Sequence, residues 1–394
     1  MTYKRAAEFG WDWITLPKVE GTSSRQAHVA LPEGTVERQL GKEGFYGPAT
    51  HMYHTHLPTE FSKFEGPLHG RAWDIGNYGE VDKSPWDALE CLSNDQCKIR
   101  FWNTRGAMDH LVRNADGDDL LFIHEGEGDL FCDYGHLKFQ EGDYIVMPRG
   151  TMWRTEPKEA LKILMIEATN DSFRLPDKGL MGTNTVFDPA MFEAPAINEA
   201  FKGQQGETSW QLKIKRSGQI STATYAFNPL DAVGWHGSLS PVRINWRDFR
   251  PIMSHRMHMP ISAHTTFVAD RFVVCTFVPR PLIESDPELV RVPAFHSNDE
   301  MDEVAFYHSG DFIHRDDVGE AMLTHLPAGY IHGPVPEMMK HASANTGIKT
   351  GAWIDGVAIS IDTRDGIFAK DIPDELERKD WHLAWQATPA KAAE

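Results

Sequence analysis

The stretch His296-Ser-Asn298-Asp-Glu-Met-Asp-Glu303, followed by Gly310 and then by Pro327-Ala-Gly329-Tyr-Ile-His332, decides how the chain is read. Two histidines and one carboxylate stand at spacings that a pair of β-hairpins brings together. On one strand His296 and Asn298 point the same way, because side chains alternate. Asp299-Glu-Met-Asp302 makes a polar turn, and Glu303 opens the returning strand. His332 follows the Pro327–Gly329 turn. Two His and one carboxylate on one face of a metal, with other positions left open, is how non-haem Fe(II) oxygenases hold iron. Zinc accepts the same donors, so the ligands alone do not fix the metal.

An earlier part of the chain repeats the pattern without the ligands. Asn114-x-Asp116, Leu121, Gly128 and Pro148-x-Gly150-x-x-Trp153 follow the spacing of His296-x-Asn298, Glu303, Gly310 and Pro327-x-Gly329-x-x-His332. Matching glycines and prolines predict the same turns in both halves. The first half then offers Asn114, Leu121 and Trp153 where the second has His296, Glu303 and His332, so its fold needs no metal ligands there. The same register selects Glu303 over its acidic neighbours Asp299, Glu300 and Asp302.

Around these motifs, short apolar runs alternate with Gly, Asp and Pro turns. Leu120–His124, Asp129–Asp133, Gly142–Pro148 and Leu161–Glu167 come first, then Phe272–Val278, Val304–Tyr307, Ala321–His325 and Gly356–Ile361. Such spacing predicts a mainly β chain built from sandwiches or small barrels, with short helices at 190–194 and 196–202. The chain divides into an N-terminal arm, metal-free domain and linker over 1–219, and a catalytic domain over 220–394. Residues 373–385 read as a C-terminal helix, and 388–394 as a loose tail. The arm is irregular and turn-rich. In it His54 and His56 would share a strand face, but no third ligand follows at hairpin spacing, which favours a structural or subunit-contact role.

The chain has 394 residues, 41% hydrophobic and 24% charged, ordinary for a soluble globular protein. A net charge of −18 argues against a nucleic-acid or anionic-membrane partner, both of which need concentrated positive charge. Four cysteines without a C-x-x-C pair, no long apolar run and no apolar signal core point to a reducing cytoplasm.

The repeat is the cupin double motif, and the chain resembles a bicupin, more narrowly the homogentisate 1,2-dioxygenase family. The residues that carry the resemblance span most of the chain. They are Arg113-Asn-Ala-Asp-Gly-Asp-Asp119, Gly234-Trp-His236-Gly237 with Pro241 and Asn245, Phe277-Val-Pro-Arg280, and His332-Gly-Pro334. The resemblance implies two cupin-type jelly rolls, Fe(II) held by His296, Glu303 and His332, and His236 as the acid/base that takes a proton from the ring hydroxyl. It implies a cytoplasmic homo-oligomer, trimer or hexamer, that uses O2 to open homogentisate to maleylacetoacetate in tyrosine and phenylalanine catabolism. Where animal-type members carry Tyr and Lys beyond the Glu, this chain has Phe312 and Arg315, which puts the substrate in doubt.

Among side chains that would meet the substrate, Asn298 shares a strand face with His296 and His325 lies seven residues before His332. Arg243, Arg315 and Lys340 are candidates to hold a substrate carboxylate. Three alternatives stand beside the first: a relative cleaving an alkylhydroquinone or gentisate, a non-catalytic metal-binding or storage bicupin, and a zinc-dependent isomerase or hydrolase.

Overall fold

A computed structural model of the chain describes residues 16–385, apart from 43–46, 81–82, 258, 284–285, 299, 313–317, 336–338 and 340–352. It is mainly β, as expected, and consists of two β-sandwiches set back to back. In the first, a seven-stranded sheet centred on Gly117–Glu125 and Ala160–Thr169 faces a six-stranded sheet that contains Leu111–Asn114 and Met152–Pro157. In the second, a six-stranded sheet centred on Asp302–Ser309 and Val357–Thr363 faces smaller pieces. One of these is the antiparallel pair Val36–Gly41 and Ala49–His54, bridged to the main chain by a parallel contact between Arg38 and Phe295.

The two large sheets pack against each other, so their central strands are covered on both faces and read as apolar runs rather than alternations. Leu120 and Phe122 point into the shared core with Val304 and Phe306. Leu121 and Ile123 point into the interior of the first sandwich, and Ala305 and Tyr307 into that of the second. Across the shared core the halves meet with local two-fold symmetry. Phe122 meets His308 edge-on at 4.8 Å, and His124 meets Phe306 in the same way at 5.1 Å. The His124 and His308 Nδ1 atoms are 2.9 Å apart.

Burial, with the second imidazole close by, pushes the His124 pKa down to about 3. Burial brings His308 to about 4, although Glu141 pulls it the other way. A histidine whose folded pKa is depressed stabilises the fold above its unfolded pKa and loses that contribution as pH falls toward the folded one. The window therefore runs from about pH 6.5 down to about 4 for His308 and about 3 for His124, and at pH 5 each ring costs on the order of 2 kcal/mol. Denaturant titrations at pH 7 and pH 5 should show this loss, and His124→Leu with His308→Leu should lose less between the same two pH values. An equal loss in the double variant would locate the acid sensitivity elsewhere.

Several local expectations are corrected. Residues 373–385 form no α-helix but two short 3-10 turns, Asp374–Leu376 and Trp381–Trp385. Between them the chain extends so that Glu377 bridges Trp73, Glu377 pairs with Arg71, and Arg378 pairs with Asp74. The tail 388–394 lies outside the described residues. The arm is less irregular than its glycines suggest, since Val36–Gly41 and Ala49–His54 form a two-stranded sheet. Helical structure at 190–203 is reduced to a 3-10 turn, Pro189–Met191, and one α-helical turn, Glu199–Gly203.

The division drawn at 219/220 falls just inside the strand Gln219–Tyr225, which pairs with Trp210–Arg216 in the first sandwich. Strands cross in both directions. Val242–Asn245 and Phe368–Ala369 join the first sandwich, whereas Arg71–Trp73 joins the second.

Candidate metal centre

His296 and His332 are held opposite one another by two backbone hydrogen bonds, each N–H donating to the other's carbonyl at 2.9 and 2.8 Å. Their rings lie 4.3 Å apart. Each Nδ1 sits 2.8 Å from a backbone carbonyl, that of Ala294 for His296 and of Tyr330 for His332. A carbonyl only accepts, so Nδ1 is the protonated nitrogen and Nε2 carries the lone pair, the tautomer a metal-binding imidazole needs. Glu303, buried on the inner face of its strand, completes a group whose donor atoms all lie within 4.8 Å of one another.

The first sandwich shows what this site looks like with the metal chemistry removed, and it corrects the repeat register. Asp118 accepts from the backbone N–H groups of Arg149 and Phe173, as Asp302 does from Ala328 and Ile367. Asn114 Nδ2 donates to Asp119 at 2.9 Å, as Asn298 Nδ2 donates to Glu303 at 3.2 Å. Val112 pairs with Trp153 as His296 pairs with His332. The counterparts of His296, Glu303 and His332 are therefore Val112, Asp119 and Trp153, not Asn114, Leu121 and Trp153. Gly310 matches Gly126 rather than Gly128: both have a left-handed backbone, φ 82° and 102°, and Gly128 does not. Two glycines at Gly126 and Gly128 made either register possible in the sequence alone.

Charge balance then distinguishes the halves. In the first, Asp119 lies beside Glu167, and burial with that like charge raises the Asp119 pKa to about 7. Arg100 and Lys215 compensate: Glu167 accepts from Arg100 at 2.6 Å and from Lys215 at 2.7 Å. In the second, Glu303 pairs across the sheet with Asp362 as Asp119 pairs with Glu167. Burial and the Glu303 charge drive Asp362 up to about 8, and only the Ser360 hydroxyl opposes them. By strand pairing, the position of Arg100 is taken by Cys275 and that of Lys215 by Gly41. A bound dication would supply the charge that the two cations supply next door. The donor set and the charge deficit both fit a metal at His296, Glu303 and His332.

The centre opens into a cavity of about 390 Å³ lined by His296, Glu303, Tyr307 and apolar side chains that include Met259, Phe277 and Phe312. Arg280 is the only Lys or Arg among its described lining residues.

Other expected site residues are not at the cavity. Asn298 adopts a left-handed backbone, φ 44°, which ends the strand alternation, and its amide holds Glu303. His325 shares a sheet face with Val304, opposite to Glu303, and bonds Asp302 through Nε2 at 3.1 Å. Arg243 sits in the first sandwich, paired with Asp143 and Glu193. His236 is exposed on a loop leading into Val242–Asn245, which pairs with Asp143–Met147 of the first sandwich, and Trp235 Nε1 donates to the Tyr134 carbonyl. That anchorage keeps His236 out of the cavity lining. Arg315 and Lys340 lie outside the described residues.

The structure adds members that the sequence did not single out. Arg280 stood in a quoted motif without a role. His28, Glu37 and His51 form a second group with donor atoms within 4.8 Å, and His28 and His51 line the same cavity. Of the histidines at 51, 54 and 56 it takes His51, not His54 or His56, and the partners of His51 lie upstream. Burial would raise Glu37, but the two imidazoles bring it down to about 2, a permanent carboxylate.

Residues 88–246 match the family model described as homogentisate 1,2-dioxygenase N-terminal. A Saccharolobus solfataricus protein named "Putative dioxygenase" is 29% identical over 396 residues, covering 93% of this chain and 98% of its own. The homogentisate 1,2-dioxygenase of Bradyrhizobium diazoefficiens is 29% identical over 150 residues, and that of Sinorhizobium fredii 30% over 148. Those matches span about a third of each of these two relatives, 33% and 32%. Among solved structures, a cupin 2 conserved barrel domain protein from Leptotrichia buccalis aligns over 75% of this chain and 96% of its own, with 9% identity and a TM-score of 0.36. No described helix is long and apolar enough to cross a membrane. Residues 88–246 are thus similar to the N-terminal part of the homogentisate 1,2-dioxygenases, and nearly the whole chain is similar to a protein named as a dioxygenase.

Proposed function

We propose that the chain is an Fe(II)-dependent dioxygenase that opens the ring of a carboxylated para-diphenol, homogentisate first among them. The observation that carries this is the group of His296, Glu303 and His332, two of which, His296 and Glu303, line a largely apolar cavity that Arg280 also lines. Iron at these three ligands would keep open positions at which a diphenol oxygen and O2 can meet. Phe277, Phe312 and Met259 exclude water and hold the flat ring. Arg280 fixes the ring's orientation through its side-chain carboxylate, with a strength that the apolar surroundings increase. Tyr307, on the same strand face as Glu303, places a phenol in the cavity.

Oxygen uptake by iron-loaded protein should be fastest with homogentisate, slower with gentisate, whose carboxylate is joined directly to the ring, and slowest with methylhydroquinone. Methylhydroquinone as the best substrate would replace homogentisate by an alkylhydroquinone, and no uptake with any of the three would end the dioxygenase reading. Because His236 stands outside the cavity, His236→Ala should change turnover less than about tenfold, below the roughly 10²–10⁴-fold expected of a general acid/base. A loss in that larger range, with iron retained, would return the proton-transfer role to His236.

A further inference from the structure

We propose that His28, Glu37 and His51 form a second metal site, for a divalent first-row transition cation, on the wall of the cavity that holds the first. The site is built from three segments of the N-terminal arm, two strands and a turn. Glu37 and His51 lie on adjacent antiparallel strands, where Gln39 pairs with His51 and Glu37 with Tyr53, so both side chains leave the same face. The parallel bridge of Arg38 to Phe295 turns that face toward the side of Ala294 and His296. His28 arrives from a tight turn with φ 66°, a left-handed backbone that few residues with a Cβ adopt, and its own N–H donates to both Glu37 oxygens.

The contacts within the group are not those of an ordinary hydrogen-bonded triad. His28 Nδ1 is 2.7 Å from Glu37 Oε2, and His51 Nδ1 is 3.1 Å from Oε1. Yet both buried nitrogens lack an aligned hydrogen bond. The ring planes therefore direct these nitrogens beside the carboxylate rather than at it. Ligands of a common ion look like this. With metal–nitrogen and metal–oxygen distances of about 2.0–2.2 Å, neighbouring donors stand roughly 3 Å apart and each lone pair points well off the line joining them. His28 is 6% and Glu37 4% exposed, so the missing partner has to come from the cavity that His28 and His51 line. Two imidazoles and one carboxylate suit Zn(II), Fe(II) or Co(II) rather than Mg(II) or Ca(II).

The inference is independent of what the first centre does, and metal stoichiometry separates the two. Protein stripped with a chelator and dialysed against Co(II) should bind two ions per chain. Glu37→Gln and His51→Ala should each bind one, His332→Ala one, and His51→Ala with His332→Ala none. A wild-type chain that binds one ion, kept in His51→Ala and lost in His332→Ala, overturns the second site. One ion kept in His332→Ala and lost in His51→Ala would sustain the second site and sink the first. Circular dichroism checks that each variant is folded, and two ions per wild-type chain require a second site even where a variant is not.

Discussion

Glu303→Ala and His332→Ala should each lose the metal of the His296 centre and catalytic activity together. Loss of an outer hydrogen-bond partner of a metal ligand typically costs 10–100-fold in affinity or activity. Removing a ligand removes the bond itself, so turnover should drop by more than about a hundredfold. A second readout needs no substrate. A ligand that binds only the folded state raises its stability by mass action, so added Fe(II) should raise the wild-type melting temperature by more than it raises that of either variant. In metal-free protein Glu303→Gln should melt no lower than wild type, because Asp362 then loses the like charge beside it. Full turnover with retained iron in Glu303→Ala would refute the assignment, and a strongly destabilised metal-free Glu303→Gln would refute the charge deficit.

Arg100→Met should be the most destabilising single change in the first sandwich. Its guanidinium is 5% exposed and bonds Glu167 while lying 3.7 Å from Asp119. Removing one partner from a buried ionic group leaves its charge uncompensated, at a cost of about 3–5 kcal/mol. The melting temperature should fall on the order of 10 °C. Replacing the carboxylate as well, in Arg100→Met with Glu167→Leu, should recover a large part, because an apolar pair often substitutes for a buried ion pair without loss. Denaturant unfolding of the two variants measures both effects. A single variant within about 1 kcal/mol of wild type would show that Lys215 alone balances the group.

The grouping of His296, Glu303 and His332 was more legible in the sequence than the surroundings of that group. His296, Glu303 and His332 are local features of turns with fixed glycines and prolines, and such turns impose their geometry wherever they occur. The internal copy was also visible, but its register was not, because Gly126 and Gly128 satisfy the same spacing. Residues whose roles depend on a distant strand were hidden. His325 faces away from the cavity by a single step of alternation, and Asn298 departs from the alternation altogether. His28, Glu37 and His51 come together only because the arm pairs with Phe295, which no periodicity announces. Residues 373–385 have helical composition, yet the extended pairing of Glu377 with Trp73 overrides it.

The exchange of strands between the sandwiches sets an order for maturation during translation. Arg71–Trp73 and the 36–54 pair leave the ribosome early, but their neighbours lie at Leu323–Leu326 and Phe295. Phe368–Ala369, made near the end, is the outer strand of a sheet begun at Leu89–Ser93. The arm must therefore wait through most of synthesis, and the first-made sheet gains its last strand only when the chain is nearly finished. A nascent chain halted before residue 290 would hold a largely assembled first sandwich, together with an arm that has nowhere to dock.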